Sequence, residues 1–170
     1  MWTSLSGFEQ LTKEEIDALV EAPALITVLI GAADGELDKE ERIWSERLLR
    51  VRTYANPKAL NEFYRVVVEG FWMKVHSEMA HLPQDAEQRN QEISERLEKL
   101  NPILAKLDVS LGGDLYKGFV GLAEETAEAS GGFLRIGAIS AVEDRWVKLP
   151  MLTPIVSPTP MQSEENEEEL

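Results

Sequence analysis

The sequence predicts an all-α protein, a single bundle of about seven helices with two weakly related halves. Three observations carry this expectation. Apolar residues recur at i, i+3, i+4 and i+7 along most of the chain, capping boxes mark several helix starts, and no segment joins strict alternation to hairpin turn signals. The β-branched run Val66-Val67-Val68 sits inside a long 3.6-residue pattern, so period outranks strand propensity there.

Thr12-Lys13-Glu14-Glu15 is a capping box, which predicts a short first helix from residue 13, after an N-terminal segment 1–11. Pro23 suits the first turn of a second helix, and Leu25, Ile26, Val28, Leu29, Ile30, Ala32 and Ala33 make that helix apolar on nearly all sides. It is expected to be the buried central helix. Asp38-x-x-Glu41 is a second capping box, opening a third helix with Trp44, Leu48, Val51 and Ala55 at helical spacing and Ile43 beside them. Asn56-Pro57 stops it. Leu60, Phe63, Tyr64, Val67, Val68, Phe71, Trp72 and Val75 then predict one uninterrupted fourth helix.

Beyond Leu82-Pro83 a polar helix carries Ile93, Leu97, Leu100, Leu104 and Leu107 on one stripe, with Pro102 kinking or dividing it. Gly112-Gly113-Asp114 reads as a turn plus N-cap. The sixth helix that follows places Leu115, Phe119, Leu122, Ala123, Thr126 and Ala127 on one face until Ser130-Gly131-Gly132 ends it. Ser140-x-x-Glu143 opens a last short helix through Trp146, Val147 and Leu149, closing a helical domain over residues 12–150. Residues 151–170 are Pro-rich and then acidic, a composition of flexible tails, although Met151, Leu152, Ile155 and Val156 suit an extended strap on the bundle.

The 170 residues suffice for one domain with a sizeable core, and 44% hydrophobic with 28% charged residues is an ordinary soluble composition. With no cysteine there is no disulfide, iron–sulfur or thiolate zinc site, so a metal would need oxygen or histidine ligands, and only two histidines narrow this toward hard, oxygen-loving cations. A net charge of −14 disfavours nucleic acid and anionic membranes as partners and favours a basic protein partner. Glu164, Glu165, Glu167, Glu168 and Glu169 supply part of that charge, but the remainder is still acidic. Met1-Trp2-Thr3-Ser4 lacks the basic start of a signal peptide, and the apolar stretch from Ala22 to Ala33 is too short to insert across a bilayer, so the expected location is the cytoplasm.

Charge is most concentrated where the central helix meets the third. Asp34, Glu36, Asp38, Glu40 and Glu41 repel one another unless solvent, a helix N-terminus or a cation offsets them. Asp34-Gly35-Glu36-Leu37-x-x-x-Glu41 matches the second half of a calcium-binding EF-hand loop, but Ile30 and Ala32 stand where the first two carboxylates belong. Two readings follow. In one, Gly35 is a left-handed helix stop and Asp38 and Glu41 cap the next helix; in the other, Asp34, Glu36, Asp38 and Glu41 also bind a divalent cation, calcium or similar, weakly.

The joint recurs in outline. Ala33-Asp34-Gly35 followed by Asp38-x-x-Glu41 is echoed by Ala129-Ser130-Gly131 followed by Ser140-x-x-Glu143, with Trp44 and Trp146 each three residues past the box glutamate. Ser130 replaces the acid, so the charged version occurs once. An Ala-Asp-Gly stop closing an apolar helix, then an acidic capping box, resembles the tellurite-resistance protein B family and its TerB-like relatives, in layout over residues 10–150 and in motif from Ala32 to Glu41. The resemblance implies a small cytoplasmic helical bundle of two related halves, a role in stress and tellurite resistance, and an acidic patch linked to divalent metal. By resemblance, Asp34 and Glu41 are the positions carried over, with Asp38 beside them.

Other candidates favour structure over chemistry. Glu78-x-x-His81 has the spacing of di-metal carboxylate bundles but occurs once, since His76 has Met73 three residues before it. Phe63, Tyr64, Phe71 and Trp72 fall at core spacing rather than as a ligand pocket. Nucleophile elbows, phosphate loops and zinc-protease motifs are absent. The expected function is therefore non-catalytic, a binding or adaptor domain with a protein partner, and the alternative is a metal-independent scaffold that uses its acidic tail.

Overall fold

The structure is a computed structural model that describes residues 5–32, 39–131 and 145–156. Among the described residues there are seven helices and no strand: α1 Lys13–Gly31, α2 Lys39–Arg52, α3 Lys58–Val68, α4 Phe71–His81, α5 Ala86–Glu98, α6 Asn101–Leu104 and α7 Val109–Gly131. The all-helical expectation is met. No described helix is long and apolar enough to cross a membrane.

α1 begins at the expected capping box. The Glu15 N–H donates to the Thr12 hydroxyl at 3.3 Å, and the Thr12 N–H donates back to the Glu15 carboxylate at 2.9 Å. Pro23, however, does not start a second helix; it lies inside α1, which runs on to Gly31. Its missing N–H leaves the Leu19 carbonyl without a helical partner. A chain break here would cost more, because every residue from Ala22 to Ala32 is buried and a turn would strip further backbone groups of partners away from water. The Thr27 hydroxyl adds a bond to the Pro23 carbonyl at 2.8 Å. α1 packs against α3, α4, α5 and α7, and so is the central helix.

α2 presents a different face from the expected one. Ser45 and Leu49 are buried and Leu48 half-buried, whereas Ile43 and Val51 are each 46% exposed and Ala55 is exposed. The side chain of Trp44 lies outside the described residues, and at the end of α2 the Arg52 guanidinium turns toward α7 and pairs with Glu125 at 2.9 Å. Beyond α2, Asn56 and Asn61 exchange backbone and side-chain hydrogen bonds of 3.1 and 2.7 Å, which fix the corner into α3.

The expected uninterrupted fourth helix is two helices. Gly70, at φ 78, takes the left-handed region and separates α3 from α4, so the axis changes direction while Phe63, Tyr64, Val67, Phe71 and Val75 all remain buried. Ile93, Leu97, Leu100, Leu104 and Leu107 are buried as expected, and the chain divides between α5 and α6 just before Pro102.

Gly112-Gly113 is not a turn but part of the first turns of α7, whose start is stabilised by Asp108 accepting from the Ser110 N–H at 2.9 Å. A Cβ on Gly112 would lie 3.0 Å from the Leu104 carbonyl oxygen, so the glycine permits close approach of α6. Leu115, Phe119, Leu122, Ala123, Thr126 and Ala127 form the expected buried face.

Both flanking segments enter the core. Phe8 is buried and stacks on Phe63 with ring centroids 5.6 Å apart. At the other end, a helical turn at 145–147 buries Trp146 and Val147, and Leu149 adopts φ 46 to place its side chain inside. The following strap is clamped by Asn101, whose amide donates to the Met151 carbonyl at 2.9 Å and accepts from the Thr153 N–H at 2.8 Å, with Leu152 buried between them.

Candidate functional site

Asp34, Glu36 and Asp38 lie outside the described residues, as does the side chain of Glu41 within α2, and so do the two glutamate capping boxes at 38–41 and 140–143. What is defined is the frame around that acidic corner. It opens from Ala32, fully buried, whose N–H still donates to the Val28 carbonyl at 3.1 Å. It closes into α2 at Lys39.

Beneath its start sits a buried arginine. Arg89 is 4% exposed, and its Nη2 donates to the Ala32 carbonyl at 2.7 Å while Nη1 reaches the Gln84 carbonyl at 3.4 Å. α5 delivers it there because Asp85 caps the helix, accepting from the Gln88 N–H at 3.0 Å, and the next turn points inward. A guanidinium on the last carbonyls of α1 also meets the negative end of that helix's dipole. Among the described residues its Nε has no hydrogen-bond partner, and neither does the buried Asn90 Oδ1 on the same helix. The cation set against the end of α1 thus comes from a residue that charge density in the sequence does not reveal.

Among the described residues no group of three His, Asp or Glu is arranged to hold a metal ion. Glu78 and His81 are engaged separately. The Glu78 carboxylate takes both guanidinium nitrogens of Arg96, at 2.6 and 3.1 Å, and Arg96 also pairs with Glu21 at 2.9 Å, joining α1, α4 and α5. Burial pushes the Glu78 carboxyl up, but the Arg96 hydrogen bonds and charge more than offset this and hold it below the ordinary value of 4.5. His81 Nδ1–H donates to the Ser77 carbonyl at 2.6 Å. Phe63, Tyr64 and Phe71 are core residues, with Phe63 edge-on to Tyr64 at 5.2 Å and Phe71 edge-on to the half-buried Trp72 at 5.0 Å.

A second polar cluster joins α2, α3 and α7. Arg52 lies over the Tyr64 ring, 5.8 Å from its centroid, and beside Gly121, where a Cβ would stand 3.3 Å from Nη2. Among the described residues neither Arg52 Nη1 nor the Tyr64 hydroxyl has a hydrogen-bond partner, and burial pushes the Tyr64 phenol up to about 12 despite the nearby arginine. The helices ending in the two small-residue stops, α1 and α7, pack on each other, while the joints that follow them lie outside the described residues.

The described frame is an all-helical bundle in which a buried arginine donates to the Ala32 carbonyl at the end of α1. Comparison with protein-family models, with curated proteins and with solved structures gives no match for this chain.

Proposed function

We propose that this chain is a non-catalytic cytoplasmic binding or adaptor domain of TerB-like type, in which the acidic corner between α1 and α2 is the recognition element and takes a divalent cation weakly. The supporting observation is the anchoring of the end of α1, which is buried from Ala22 to Ala32 and whose Ala32 carbonyl accepts from Arg89. Asp34, Glu36, Asp38 and Glu41 would supply the oxygens, and a bound cation would relieve their mutual repulsion. Stiffening the junction then alters the surface that a protein partner reads. The link to stress and tellurite resistance comes with the resemblance alone. Calorimetric or terbium-luminescence titration of the wild type and Asp34→Ala tests the reading. Saturable binding that weakens in the variant supports it, and two proteins that bind no calcium, magnesium or manganese would sink it.

Arg89 favours a second reading. Its guanidinium already places a fixed positive charge at the foot of the corner, which offsets part of the carboxylate repulsion without metal. The corner is then a capping junction and the chain a metal-independent scaffold that recognises partners through its Glu-rich tail. In that case the metal titrations are silent, and removing residues 157–170 abolishes partner capture.

A further inference from the structure

We propose that the seam between α6 and α7 is a docking groove for an extended, proline-containing apolar peptide of a partner protein, and that the strap 150–156 of the same molecule fills it as an autoinhibitory occupant. The inference goes beyond the acidic corner and is independent of any metal there.

The groove reads main chain. Asn101, at the start of α6, donates its amide to the Met151 carbonyl at 2.9 Å and accepts from the Thr153 N–H at 2.8 Å. One side chain thus takes a carbonyl and an N–H two residues apart, as a neighbouring strand would, and extended segments of many sequences offer that pair. Selection is left to the apolar seats. Leu152, between the two bonded groups, is only 3% exposed, and three residues further on the Ile155 Cδ1 rests at Gly112 of α7, 3.5 Å from where a Cβ would stand. Main-chain hydrogen bonds that hold the segment, with pockets that choose its side chains, are the chemistry of extended-peptide recognition. Pro154 is exposed between the seats; it has no N–H to satisfy and stiffens the segment, which lowers the cost of ordering an occupant of this kind.

The strap is attached lightly enough to leave. Besides the two Asn101 bonds, its backbone makes one hydrogen bond among the described residues, from the Leu152 N–H to the Leu149 carbonyl at 2.9 Å. Thr153, Pro154 and Val156 are exposed, Met151 and Ile155 are half-buried, and no residue from 150 to 156 carries a charge. Leu149 turns the chain back over α6 at φ 46, a left-handed conformation that is unfavourable for leucine and serves the closed strap. Trp146, Val147 and Leu149 are buried in the core, so opening from Pro150 leaves the bundle assembled. A partner peptide that repeats the spacing of Leu152 and Ile155 gains the same contacts without the turn. The net charge of −14 favours such a peptide, uncharged or with basic flanks, over a second copy of this acidic chain.

The probe is a fluorescein-labelled peptide with the strap's own sequence, residues 149–156, added to the full-length chain and followed by fluorescence polarisation. In the wild type the tethered strap competes at high effective concentration, so the probe should bind weakly. Leu152→Ser weakens the strap and leaves Asn101 and Gly112 in place, and it should bind the probe at least about tenfold more tightly than the wild type does. Adding Asn101→Ala should abolish the gain, and a probe of scrambled sequence should not bind. Helical circular dichroism reports whether each variant is folded; should Leu152→Ser lower it, Thr153→Pro takes its place, because it deletes the strap's donor and no atom of the groove. The proposal is overturned if the folded strap variant gains no affinity over the wild type, if the gain survives Asn101→Ala, or if the scrambled probe binds equally. It is also overturned if the wild type sediments as a dimer that Asn101→Ala dissociates, which would make a second copy the occupant.

Discussion

The Tyr64 hydroxyl occupies the space that a side chain at Gly118 would fill: a Cβ built there would overlap Oη, while the next contact, to Tyr64 Cζ, would be an ordinary 3.6 Å. The fit is steric rather than polar, since the buried hydroxyl has no hydrogen-bond partner among the described residues. α3 and α7 come this close because one contributes a phenol tip and the other contributes no side chain at all.

Gly118→Ala should therefore destabilise the protein by about 1–3 kcal/mol through overpacking, even though alanine is the better helix former by about 1 kcal/mol. Tyr64→Phe should be close to neutral, because it deletes a hydroxyl that is buried without a partner. Combined, the two changes should recover the wild-type stability or exceed it, as the alanine then meets only the ring edge. A double-mutant cycle by chemical denaturation measures the coupling, and additive losses would contradict the assignment.

Arg89→Met removes the donor to the Ala32 carbonyl and leaves that buried oxygen unpaired, at a cost of about 1–3 kcal/mol. Arg89→Lys should recover little, because a point ammonium cannot span the carbonyls of Ala32 and Gln84 as the guanidinium fork does. Hydrogen exchange locates the effect: amides at the carboxyl end of α1 and the start of α2 should lose protection ahead of α7.

The Glu21–Arg96–Glu78 cluster makes stability fall in acid. The Glu78 carboxyl is held below 4.5, so the folded state binds its proton less readily than the unfolded chain does. The associated stability is present above about pH 4.5 and is lost as pH falls through the lower folded value. Glu78→Gln should lower the neutral-pH midpoint of denaturation and flatten its decline below that pH. A variant whose acid slope matches the wild type would show that Glu78 does not carry the effect.

Elements whose pattern is self-contained were legible in the sequence. The stripes Ile93–Leu107 and Leu115–Ala127 and the Thr12 box need no partner to be read, and all appear in place. Gly70 escaped notice because the apolar period runs in phase across it, so a left-handed break leaves no gap in the spacing. Gly112-Gly113 misled for the opposite reason: the pair reads as a turn, but Gly112 answers to the Leu104 carbonyl of another element. Pro23 continues α1 because the surrounding core, invisible in the local sequence, makes interruption more costly. The acidic corner was legible as charge density, yet the cation set against its start comes from Arg89, 57 residues beyond Ala32. Exposure of Ile43 and Val51 likewise follows from how α2 packs on α3 and α7, which its own apolar spacing does not reveal.

Asn101 offers the most local test of the packing at the far end of the chain. Its side chain both donates to the Met151 carbonyl and accepts from the Thr153 N–H, as a strand partner would, and so closes the strap over Leu152 without any sheet. Asn101→Ala deletes both bonds, each worth about 0.5–1.5 kcal/mol, while leaving the α6 backbone able to form. The loss should be confined to the strap, because the two bonds end on Met151 and Thr153, whereas Trp146, Val147 and Leu149 are anchored by their own buried side chains. The Thr153 amide should then exchange several-fold faster and residues 151–156 should become accessible to protease, with the thermal midpoint of the bundle nearly unchanged. Equal acceleration across α7 would instead mean that the strap unfolds only with the whole domain.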